Sequence, residues 1–472
     1  MLSLLRHRFT PRILATFVFE LVALNAAFGG FVVLRSFRWS ASSLLLEDPW
    51  AVVRFAAACT LLVQAVFWYL GLYSRYVVYR GRRVYRRLGC AFVVLAVGLY
   101  PVCAAFAASS GPVLSVTAKS YVALLAGFFV LIALERFTVL KLFGETSHFG
   151  NILILGNGSC TERLIREART RLGDSLRVVG ILAESRDEVG RLVQGFPVLG
   201  DIAETPRWVR ELKVRTLVLA TPYGFRDLPL DFLVQARLYG TRILDACRFY
   251  ESLTQAVLLE RLEPYHFLSA DGYAALPFRW KVKTALETGI ATVLLLIFGI
   301  PMLAIAAAIR LTSPGPAIYR QRRVGRDGKI FELLKFRTMV DRAEDRTGPV
   351  WARKDDDRVT PLGKWLRRFR VDELPQLINI LRGEMAFVGP RPERPEFVEE
   401  LEKKIPYYRH RHFVKPGLTG WAQVAHGYAA SVEAARDKLR YDLYYVKHMS
   451  IPFDLVIILA TVRAVLQGRG LR

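Results

Sequence analysis

The sequence is poor in cysteine and in acidic residues. Its 472 residues include five cysteines without any CxxC spacing, which argues against a disulfide framework and against a zinc site built on paired cysteines. Lysine and arginine number 66 against 42 aspartates and glutamates, so the net charge is +24. Such a surplus is typical of proteins that bind nucleic acid, anionic lipid or phosphorylated substrates. Because long apolar runs separate the arginines, we expect lipid and phosphate partners and no nucleic acid.

Apolar runs are abundant and predict a membrane protein. Hydrophobic residues make up 53% of the sequence, and four segments could each cross a bilayer core of about 30 Å as a helix. Six arginines between residues 75 and 87 place both ends of this four-helix transmembrane bundle, residues 1–140, in the cytoplasm by the positive-inside rule. We expect no cleavable signal peptide, since the first apolar run is too long and lacks a small-residue cleavage site. The four predicted spans lie at about residues 13–34, 50–73, 88–109 and 120–137.

Two charged residues, Glu20 and Arg54, fall inside the first two predicted spans. An ionisable residue at membrane depth is a candidate functional residue. An ion pair between neighbouring helices explains such residues equally well, and both interpretations stay open at this point.

After Asn151 the pattern changes to alternating strands and helices. Several helical segments separate the predicted strands, which is typical of a doubly wound α/β domain. We therefore expect a Rossmann-like, nucleotide-binding-like domain over residues 148–262, followed by a linker at residues 263–280. The predicted strands are "NILILGNG", "LRVVGILAE", "FPVLGD", "VRTLVLAT" and "TRILDA".

The first turn of this domain contains an incomplete dinucleotide-binding motif. Gly156 and Gly158 occupy the first two glycine positions, but Thr161 replaces the third. The two glycines would let a phosphate approach the next helix, and Glu184 ends the following strand where an acid could bind a ribose. A tight strand-to-helix turn without a ligand explains the same residues.

A further apolar stretch lies at residues 285–309, within a third domain that we assign to residues 281–472. Basic residues flank both of its ends, so both ends are expected in the cytoplasm. Pro301 lies inside it, where proline removes a helical hydrogen bond and crowds the preceding turn. We predict a re-entrant membrane helix at residues 283–310 with a break at Pro301; the alternative is an ordinary proline-kinked span. The last apolar stretch, from Met449 onward, either lies in the membrane interface or packs against this domain.

The adjacent acids Asp372 and Glu373 precede "LPQLINILRG", a helical pattern with Pro375 in its first turn and Gly383 as its stop. The positive end of a helix dipole would keep an aspartate ionised, so that it could act as a nucleophile or hold a metal. Neighbouring helical residues project about 100° apart. We therefore expect one acid to attack phosphorus and the longer one to hold a divalent cation such as Mg²⁺. Ordinary acids at a helix start are the alternative.

Basic residues accompany this pair. In "VGPRPERP", Pro390 and Pro392 restrict the backbone around Arg391, whose planar guanidinium can bind a phosphate through two hydrogen bonds. Acids, cations and a membrane-inserted helix together indicate phosphoryl transfer to or from a lipid. The segments "YRQRRVG" and "LLKFRTM" add three further candidate phosphate-binding residues, Arg323, Lys335 and Arg337.

From about residue 282 onward the chain resembles the bacterial sugar transferases, which are monotopic polyprenyl-phosphate phosphosugar transferases. With its bundle and α/β domain it is similar to the large form of that family, especially to members associated with exopolysaccharide and PEP-CTERM export. The length and order of four motifs argue against a chance match. These motifs are "SPGPAIYRQRRVGRDGKIFELLKFRTM", "RVTPLGKWLRRFRVDELPQLINILRGEMAFVGPRPERPEF", "RHRHFVKPGLTGWAQV" and "KLRYDLYYVKHMSIPFDL".

The resemblance implies a mainly α-helical monotopic catalytic domain with a defined reaction. Asp372 would attack the sugar-bearing phosphorus of a UDP-sugar, release UMP and form a covalent phosphosugar-aspartyl intermediate, while Glu373 would bind Mg²⁺. Arg391 would recognise nucleotide or phosphate. Polyprenyl (undecaprenyl) phosphate would then accept the phosphosugar at the cytoplasmic face of the bacterial inner membrane, among its lipids. The resemblance leaves the sugar and the oligomeric state open, a homo-oligomer included.

Two positions depart from the small members of the family. Ile300-Pro301 stands where they have Ser-Pro, so a hydroxyl that could bond a freed backbone group is missing and the angle of the break is open. Glu287 stands where they have an aspartate, which retains the charge.

Two other functions compete with this one. Membrane-anchored NAD-dependent sugar-nucleotide dehydratases and epimerases also join four spans to a Rossmann domain. Residues 151–280, however, contain neither a complete GxGxxG nor a Tyr-x-x-x-Lys. A non-catalytic scaffold is the third hypothesis, and the intact acid pair, Pro-Arg-Pro and cations argue against it.

Overall fold

The computed structural model divides into two compact units, Met1–Ala246 and Cys247–Arg472. Most of the predicted linker at residues 263–280 lies outside the described residues. The structure describes residues 19–30, 49–72, 81–109, 118–143, 149–173, 176–221, 230–263, 277–341, 343, 357–426 and 431–467.

The division after Ala246 differs from the predicted domain boundary at residue 262. Helix α8 (Ala246–Thr254) begins at the division, and the segment after it packs within the second unit. The indole of Trp421 donates a hydrogen bond to the Gln255 carbonyl over 2.8 Å. The residues after Ala246 directly follow the last strand of the α/β domain in the sequence. Sequence periodicity gives no sign of the change of unit, so the prediction extended the α/β domain to residue 262.

Four helices of the first unit coincide with the four predicted apolar segments, and their apolar side chains form one buried core. Among the described helices, Val52–Tyr69 and, in the second unit, Trp280–Thr312 are long and apolar enough to cross a membrane. Membrane crossing by all four helices therefore stays a prediction. The helices are α1 (Phe19–Gly30), α2 (Pro49–Tyr69), α3 (Gly81–Ser109) and α4 (Ala118–Phe143).

A buried ion pair joins the first and last of these helices. The Arg136 guanidinium of α4 lies 2.5 Å from the Glu20 carboxylate of α1, and both side chains are almost completely buried. Glu135 also contacts Arg136 over 3.3 Å. The ion-pair interpretation therefore holds for Glu20, whose partner lies in α4 and not in α2. Arg54, the other charged residue within the predicted spans, is exposed.

The α/β domain is built on a six-stranded sheet of order β3-β4-β2-β1-β5-β6. Its strands pair in parallel except for the two-residue β3, and the five longer strands are the five predicted ones. This parallel order is that of a doubly wound fold. The strands are β1 (Ile152–Leu155), β2 (Val178–Ala183), β3 (Leu192–Val193), β4 (Phe196–Asp201), β5 (Thr216–Leu219) and β6 (Arg242–Asp245), and the helices are α5 (Ser159–Leu172), α6 (Thr205–Glu211) and α7 (Leu230–Leu238).

The incomplete glycine motif forms a tight turn between β1 and α5. Gly156 has φ +96° and lies against the backbone of Ala220, and the Thr161 hydroxyl donates to the Gly156 carbonyl over 2.5 Å. The Asn157 amide donates to the Glu188 carboxylate over 2.6 Å. That carboxylate would repel a phosphate at this turn, so the geometry favours the ligand-free interpretation.

Among its described residues, the second unit combines α8 and the long helix α9 (Pro277–Thr312) with two small sheets and six further helices. An antiparallel hairpin joins β7 (Ile318–Val324) to β8 (Ile330–Phe336), and β9 (Ala386–Val388) pairs in parallel with β10 (Gly417–Thr419). The shorter helices that follow α9 are α10 (Pro361–Arg368), α11 (Gln376–Leu381), α12 (Pro395–Lys404), α13 (Trp421–His426), α14 (Val432–His448) and α15 (Ile451–Leu466).

Both halves of helix α9 pack against other elements of the second unit. Ala291 and Ile309 are buried in two separate clusters with residues of that unit. Between them Leu296 and Ile300 are 77% and 81% exposed. The helix continues through Pro301, so the predicted break does not end the helix; a proline removes one hydrogen bond and leaves the flanking turns helical. The re-entrant course stays a prediction.

Helix α15 agrees with both interpretations of the last apolar stretch. Phe453 and Ile457 are buried against the unit, whereas Leu455 and Leu466 are 56% and 65% exposed. One face of the helix therefore packs on the protein and the other presents apolar side chains to the surroundings.

A buried polar cluster fastens α9 and α15 to β9. The Lys283 ammonium contacts the Glu287 carboxylate over 2.8 Å and that of Asp454 over 2.5 Å. Glu287 also accepts a hydrogen bond from the backbone N–H of Phe387 in β9 over 3.2 Å. The retained acid at position 287 thus connects the long helix to a strand of the second unit.

We predict that Arg136→Met destabilises the helical bundle, because it leaves Glu20 buried without its guanidinium partner. Breaking such a pair costs about 3 kcal/mol. The double variant Glu20→Gln/Arg136→Met should recover most of this loss, as measured by thermal unfolding in nanodiscs. Equal losses in the single and the double variant would contradict the prediction.

Candidate active site

The two acids lie on a 3-10 turn that is held between two short helices. Helix α10 begins after Thr360, whose hydroxyl accepts a hydrogen bond from the Gly363 N–H over 3.0 Å. Arg370 then adopts φ +58°, which reverses the chain direction. The turn Val371–Glu373 follows, ahead of α11. The acids therefore lie just before the helix, as in the sequence prediction.

Three cations surround the Glu373 carboxylate. The Lys335 ammonium and the Arg391 guanidinium each lie 3.5 Å from Oε1, and the Arg370 guanidinium lies 3.0 Å from Oε2. Lys335 comes from β8, Arg370 from the αL position before the turn, and Arg391 from the loop after β9. Only 6% of Glu373 is exposed, so the three cations, rather than water, stabilise the negative charge of its carboxylate.

The environment separates the pKa values of the two acids. Burial would raise the pKa of Glu373, but the charges of Lys335, Arg391 and Arg370 lower it to about 2. Burial and the neighbouring charge of Glu373 raise the pKa of Asp372. Burial also lowers the pKa of Lys335 to about 8, against the opposite influence of Glu373.

The raised pKa of Asp372 runs against the helix-dipole argument made from the sequence. We expected a helix dipole to keep this aspartate ionised, but α11 has six residues and begins at Gln376. A helix this short carries a small dipole, and its effect fades within one turn. Burial beside a second carboxylate outweighs it. The different pKa shifts still agree with two acids that perform different tasks.

Four consecutive carbonyl groups fix the backbone around Arg391. The Pro390 carbonyl accepts a hydrogen bond from the Gly417 N–H over 2.9 Å, and the Glu393 carbonyl accepts one from the Val324 N–H over 3.0 Å. Between them, the Arg391 carbonyl accepts from Arg411 over 2.8 Å and the Pro392 carbonyl accepts from Arg323 over 3.1 Å. The loop therefore holds Arg391 in a rigid frame.

The predicted phosphate-binding residues divide into two groups. Lys335 and Arg391 meet at Glu373, as described above. Arg323 supports the loop through Pro392 and lies 3.6 Å from the Glu393 carboxylate. Arg337 is buried and donates to the carbonyl and the hydroxyl of Ser313, both over 2.8 Å, at the end of α9. The structure thus brings Lys335 and Arg391 to the acids and uses Arg323 and Arg337 to hold neighbouring segments.

The sequence analysis assigned no role to three residues that build the site. Arg370 could have been found from its spacing, since residues three apart share a helical face. Arg411 is buried and lies 2.8 Å from Asp442, a partner too distant in sequence to infer. Asn379 is fully buried in α11.

Asn379 connects α11 to the strand that carries Lys335. Its amide donates to the Glu332 carbonyl over 2.7 Å, and its side-chain oxygen accepts from the Leu334 N–H over 3.1 Å. The amide also contacts the Glu384 carboxylate over 2.7 Å. These bonds fix the strand next to the helix that follows the acid pair, and so fix Lys335 relative to Glu373.

The donor set at the acid pair is compatible with Mg²⁺. Among the described residues, no group of three or more His, Cys, Asp or Glu side chains is arranged to hold a metal. Mg²⁺ is, however, usually bound by one or two carboxylates together with the phosphates of a substrate. Asp372 and Glu373 fit that arrangement.

Comparison with known sequences gives two family matches. The sequence profile of the bacterial sugar transferases matches residues 278–468, from the start of α9 through α15. The profile of a CoA-binding domain matches residues 68–224, which include α3, α4 and most of the α/β domain.

Several characterised proteins are similar to the part of the chain that contains the acid pair. A UDP-N-acetylgalactosamine-undecaprenyl-phosphate N-acetylgalactosaminephosphotransferase of Aeromonas hydrophila is 40% identical over 222 residues, 47% of this chain and 52% of that protein. A UDP-glucose:undecaprenyl-phosphate glucose-1-phosphate transferase of Escherichia coli (strain K12) is 42% identical over 183 residues, 38% of this chain and 39% of that protein. A Caulobacter vibrioides transferase with the same description is 43% identical over 186 residues, 39% of this chain and 69% of that protein. The match thus spans about half of the first relative, two fifths of the second and two thirds of the third.

We predict that Asn379→Ala lowers the free energy of unfolding by about 3 kcal/mol, because it leaves buried backbone groups of β8 without partners. Gln376→Ala is the matched control, since Gln376 is a similarly buried amide on the same helix without a side-chain hydrogen bond in the described part of the chain. Thermal unfolding of both variants tests the prediction. Equal losses would show that Asn379 contributes only by packing.

Proposed function

Because the chain belongs to the bacterial sugar transferase family, we propose that it transfers a sugar 1-phosphate from a UDP-sugar to polyprenyl phosphate and releases UMP. The product would be a polyprenyl-diphosphate sugar, which starts the assembly of an exopolysaccharide or a related glycan. The proposal rests on the Asp372–Glu373 turn surrounded by cations, within the region that matches the family.

The geometry supports different roles for the two acids. Glu373 is engaged by three cations, so its charge is fixed and its oxygens are poorly placed to attack. Asp372 is the less stabilised carboxylate and the better candidate for the nucleophile. Cations close to both acids would also attract the diphosphate of the donor substrate.

The proposed reaction has two displacements at one phosphorus. An Asp372 carboxylate oxygen forms a bond to the sugar-bearing phosphorus, while the bond from that phosphorus to the oxygen of UMP breaks. A phosphate oxygen of the polyprenyl phosphate then attacks the same phosphorus and releases the Asp372 carboxylate. The first step creates the covalent phosphosugar-aspartyl intermediate, and the second regenerates the enzyme.

Arg391 and Lys335 would bind the transferring phosphates. The rigid loop holds the planar guanidinium of Arg391 in place, which suits recognition of phosphate through two hydrogen bonds. Glu373 would hold Mg²⁺ together with phosphate oxygens, and the ion would neutralise charge on the diphosphate.

The exposed apolar surface of the second unit supports its placement at a membrane. Helix α9 exposes Leu296, Ile300 and Leu303, and α15 exposes Leu455 and Leu466. The contacts of α9 along both halves favour a helix that enters and leaves on one side of the membrane. We propose that this side is the cytoplasmic face of the inner membrane, where UDP-sugars are available.

We predict that Asp372→Asn abolishes UMP release while the protein still folds, because an amide cannot displace UMP from the donor. UMP release is measured with purified protein in nanodiscs containing undecaprenyl phosphate and Mg²⁺. The donor panel includes UDP-glucose and UDP-N-acetylgalactosamine, which the relatives use. Near-normal release by the variant would exclude Asp372 as the nucleophile. No release by the parent protein with any UDP-sugar would favour other donors or the scaffold hypothesis.

We predict that Arg391→Lys lowers the rate of UMP release at least tenfold, about 1.4 kcal/mol, because an ammonium retains the charge and loses the planar geometry. Arg382→Lys serves as the control, since Arg382 lies at the end of α11 and forms no ion pair within the described residues. An unchanged rate for Arg391→Lys would assign Arg391 a structural role.

We predict that thiols placed at both ends of α9 react from the same side of the membrane. Lys281→Cys and Leu311→Cys put thiols at exposed positions, in a chain whose Cys90 and Cys160 are replaced by Ser. Labelling with an impermeant maleimide in inside-out and right-side-out vesicles identifies the side. Arg38→Cys, between the first two spans predicted from the sequence, is the control for the opposite face. Labelling of the two ends from opposite sides would replace the re-entrant helix by a true span.

A further inference from the structure

A cavity of about 900 Å³ lies at one edge of the α/β sheet. Three segments form its wall. The first is Phe149 and Gly150, just before β1; the second leads into β5, and the third leads into β6. The cavity is therefore at the amino ends of these strands. The Gly156 turn follows the carboxyl end of β1, so the cavity is separate from the edge where doubly wound domains bind nucleotides.

The charged residues that line this cavity are all basic. Arg210, Lys213, Arg215 and Arg242 contribute to its wall, and its lining contains no Asp or Glu. All four side chains are exposed, and within the described residues none of them forms an ion pair. A concave surface lined by one sign of charge concentrates the electric field and attracts counter-ions. The cavity is therefore suited to an anion.

Exposed apolar side chains beside the cavity indicate what kind of anion it binds. Leu238, the last residue of α7, and Tyr239, in the turn that follows, are 80% and 89% exposed, and Tyr239 lines the cavity. A tyrosine beside cations is typical of the headgroup level of a membrane, where its ring and its hydroxyl find different partners. A site for a small soluble anion has no need of an exposed leucine.

The chain path brings the same edge close to the membrane. Helix α4 ends at Phe143, and Phe149 already lines the cavity. Six residue steps span at most about 20 Å even when fully extended. If α4 crosses the membrane, as the sequence predicts, the cavity lies within this distance of the end of a membrane helix.

We propose that this cavity binds the phosphate groups of anionic membrane lipids and so docks the α/β domain on the bilayer surface. Arg215 and Arg242 pair with lipid phosphates, while Leu238 and Tyr239 enter the headgroup region. The inference rests on the proposed membrane placement of α4 and is independent of the transferase reaction. A soluble phosphate compound shares the chemistry of the ligand, and the experiment separates the two sources.

The test uses the full chain in nanodiscs of phosphatidylcholine, with or without phosphatidylglycerol. A bimane fluorophore is attached to Gln235→Cys, at an exposed position of the cavity wall, after replacement of Cys90 and Cys160 by Ser. Lipids with a nitroxide on the headgroup quench the fluorophore only at short range. We expect quenching that increases with the phosphatidylglycerol content.

The charge variant Arg215→Gln/Arg242→Gln should lose this quenching. The matched control Arg166→Gln/Arg191→Gln removes two exposed arginines from other parts of the same domain and should retain it. Thermal unfolding verifies that both variants fold, and UMP release reports the transferase reaction separately.

Two outcomes would overturn the proposal. Quenching that is absent, or that is equal in the two double variants, would show that the cavity does not bind lipid phosphate. A change in the bimane fluorescence on addition of millimolar pyrophosphate or ADP in detergent, without quenching in nanodiscs, would assign the cavity to a soluble phosphate compound.

Discussion

The buried Glu373 carboxylate and its three cations are the interaction on which the second unit depends. Lys335, Arg370 and Arg391 belong to three different segments, and each lies within 3.5 Å of this carboxylate. A buried carboxylate is unstable without compensating charge, so these segments must meet for the fold to be stable. The ion pairs that stabilise the buried Glu373 thus also bring cations close to Asp372, where a diphosphate substrate would react.

The surroundings of this cluster are rigid for identifiable reasons. Four carbonyl groups in a row fix the loop around Arg391, and Asn379 fixes the strand that carries Lys335. The Lys283–Glu287–Asp454 cluster fastens the long helix to β9, from which the Arg391 loop continues. A site supported in this way is organised before the substrate binds, which favours electrostatic stabilisation of phosphoryl transfer.

Local patterns in the sequence predicted most elements and the centre of the site. The five strands and the four apolar helices could be predicted because each element has its own periodicity. The Asp-Glu pair and Pro-Arg-Pro could be found because they are contiguous motifs. The contact of Arg337, a predicted phosphate-binding residue, with Ser313 depends on the path of α9 and could not be read from the sequence. The pKa of Asp372 and the role of Asn379 depend on burial, which one-dimensional patterns do not contain. Cations on three separate segments converge only after folding.

The proposed reaction depends on a covalent bond between Asp372 and the sugar-bearing phosphorus. The most direct test is intact-protein mass spectrometry after incubation with the productive UDP-sugar in the absence of polyprenyl phosphate, followed by peptide mapping. We expect a mass increase of one sugar phosphate on the peptide that contains Asp372, which disappears when polyprenyl phosphate is added and is absent from Asp372→Asn. Turnover that requires the lipid, without any adduct under rapid quenching and with activity retained in Asp372→Asn, would contradict the claim.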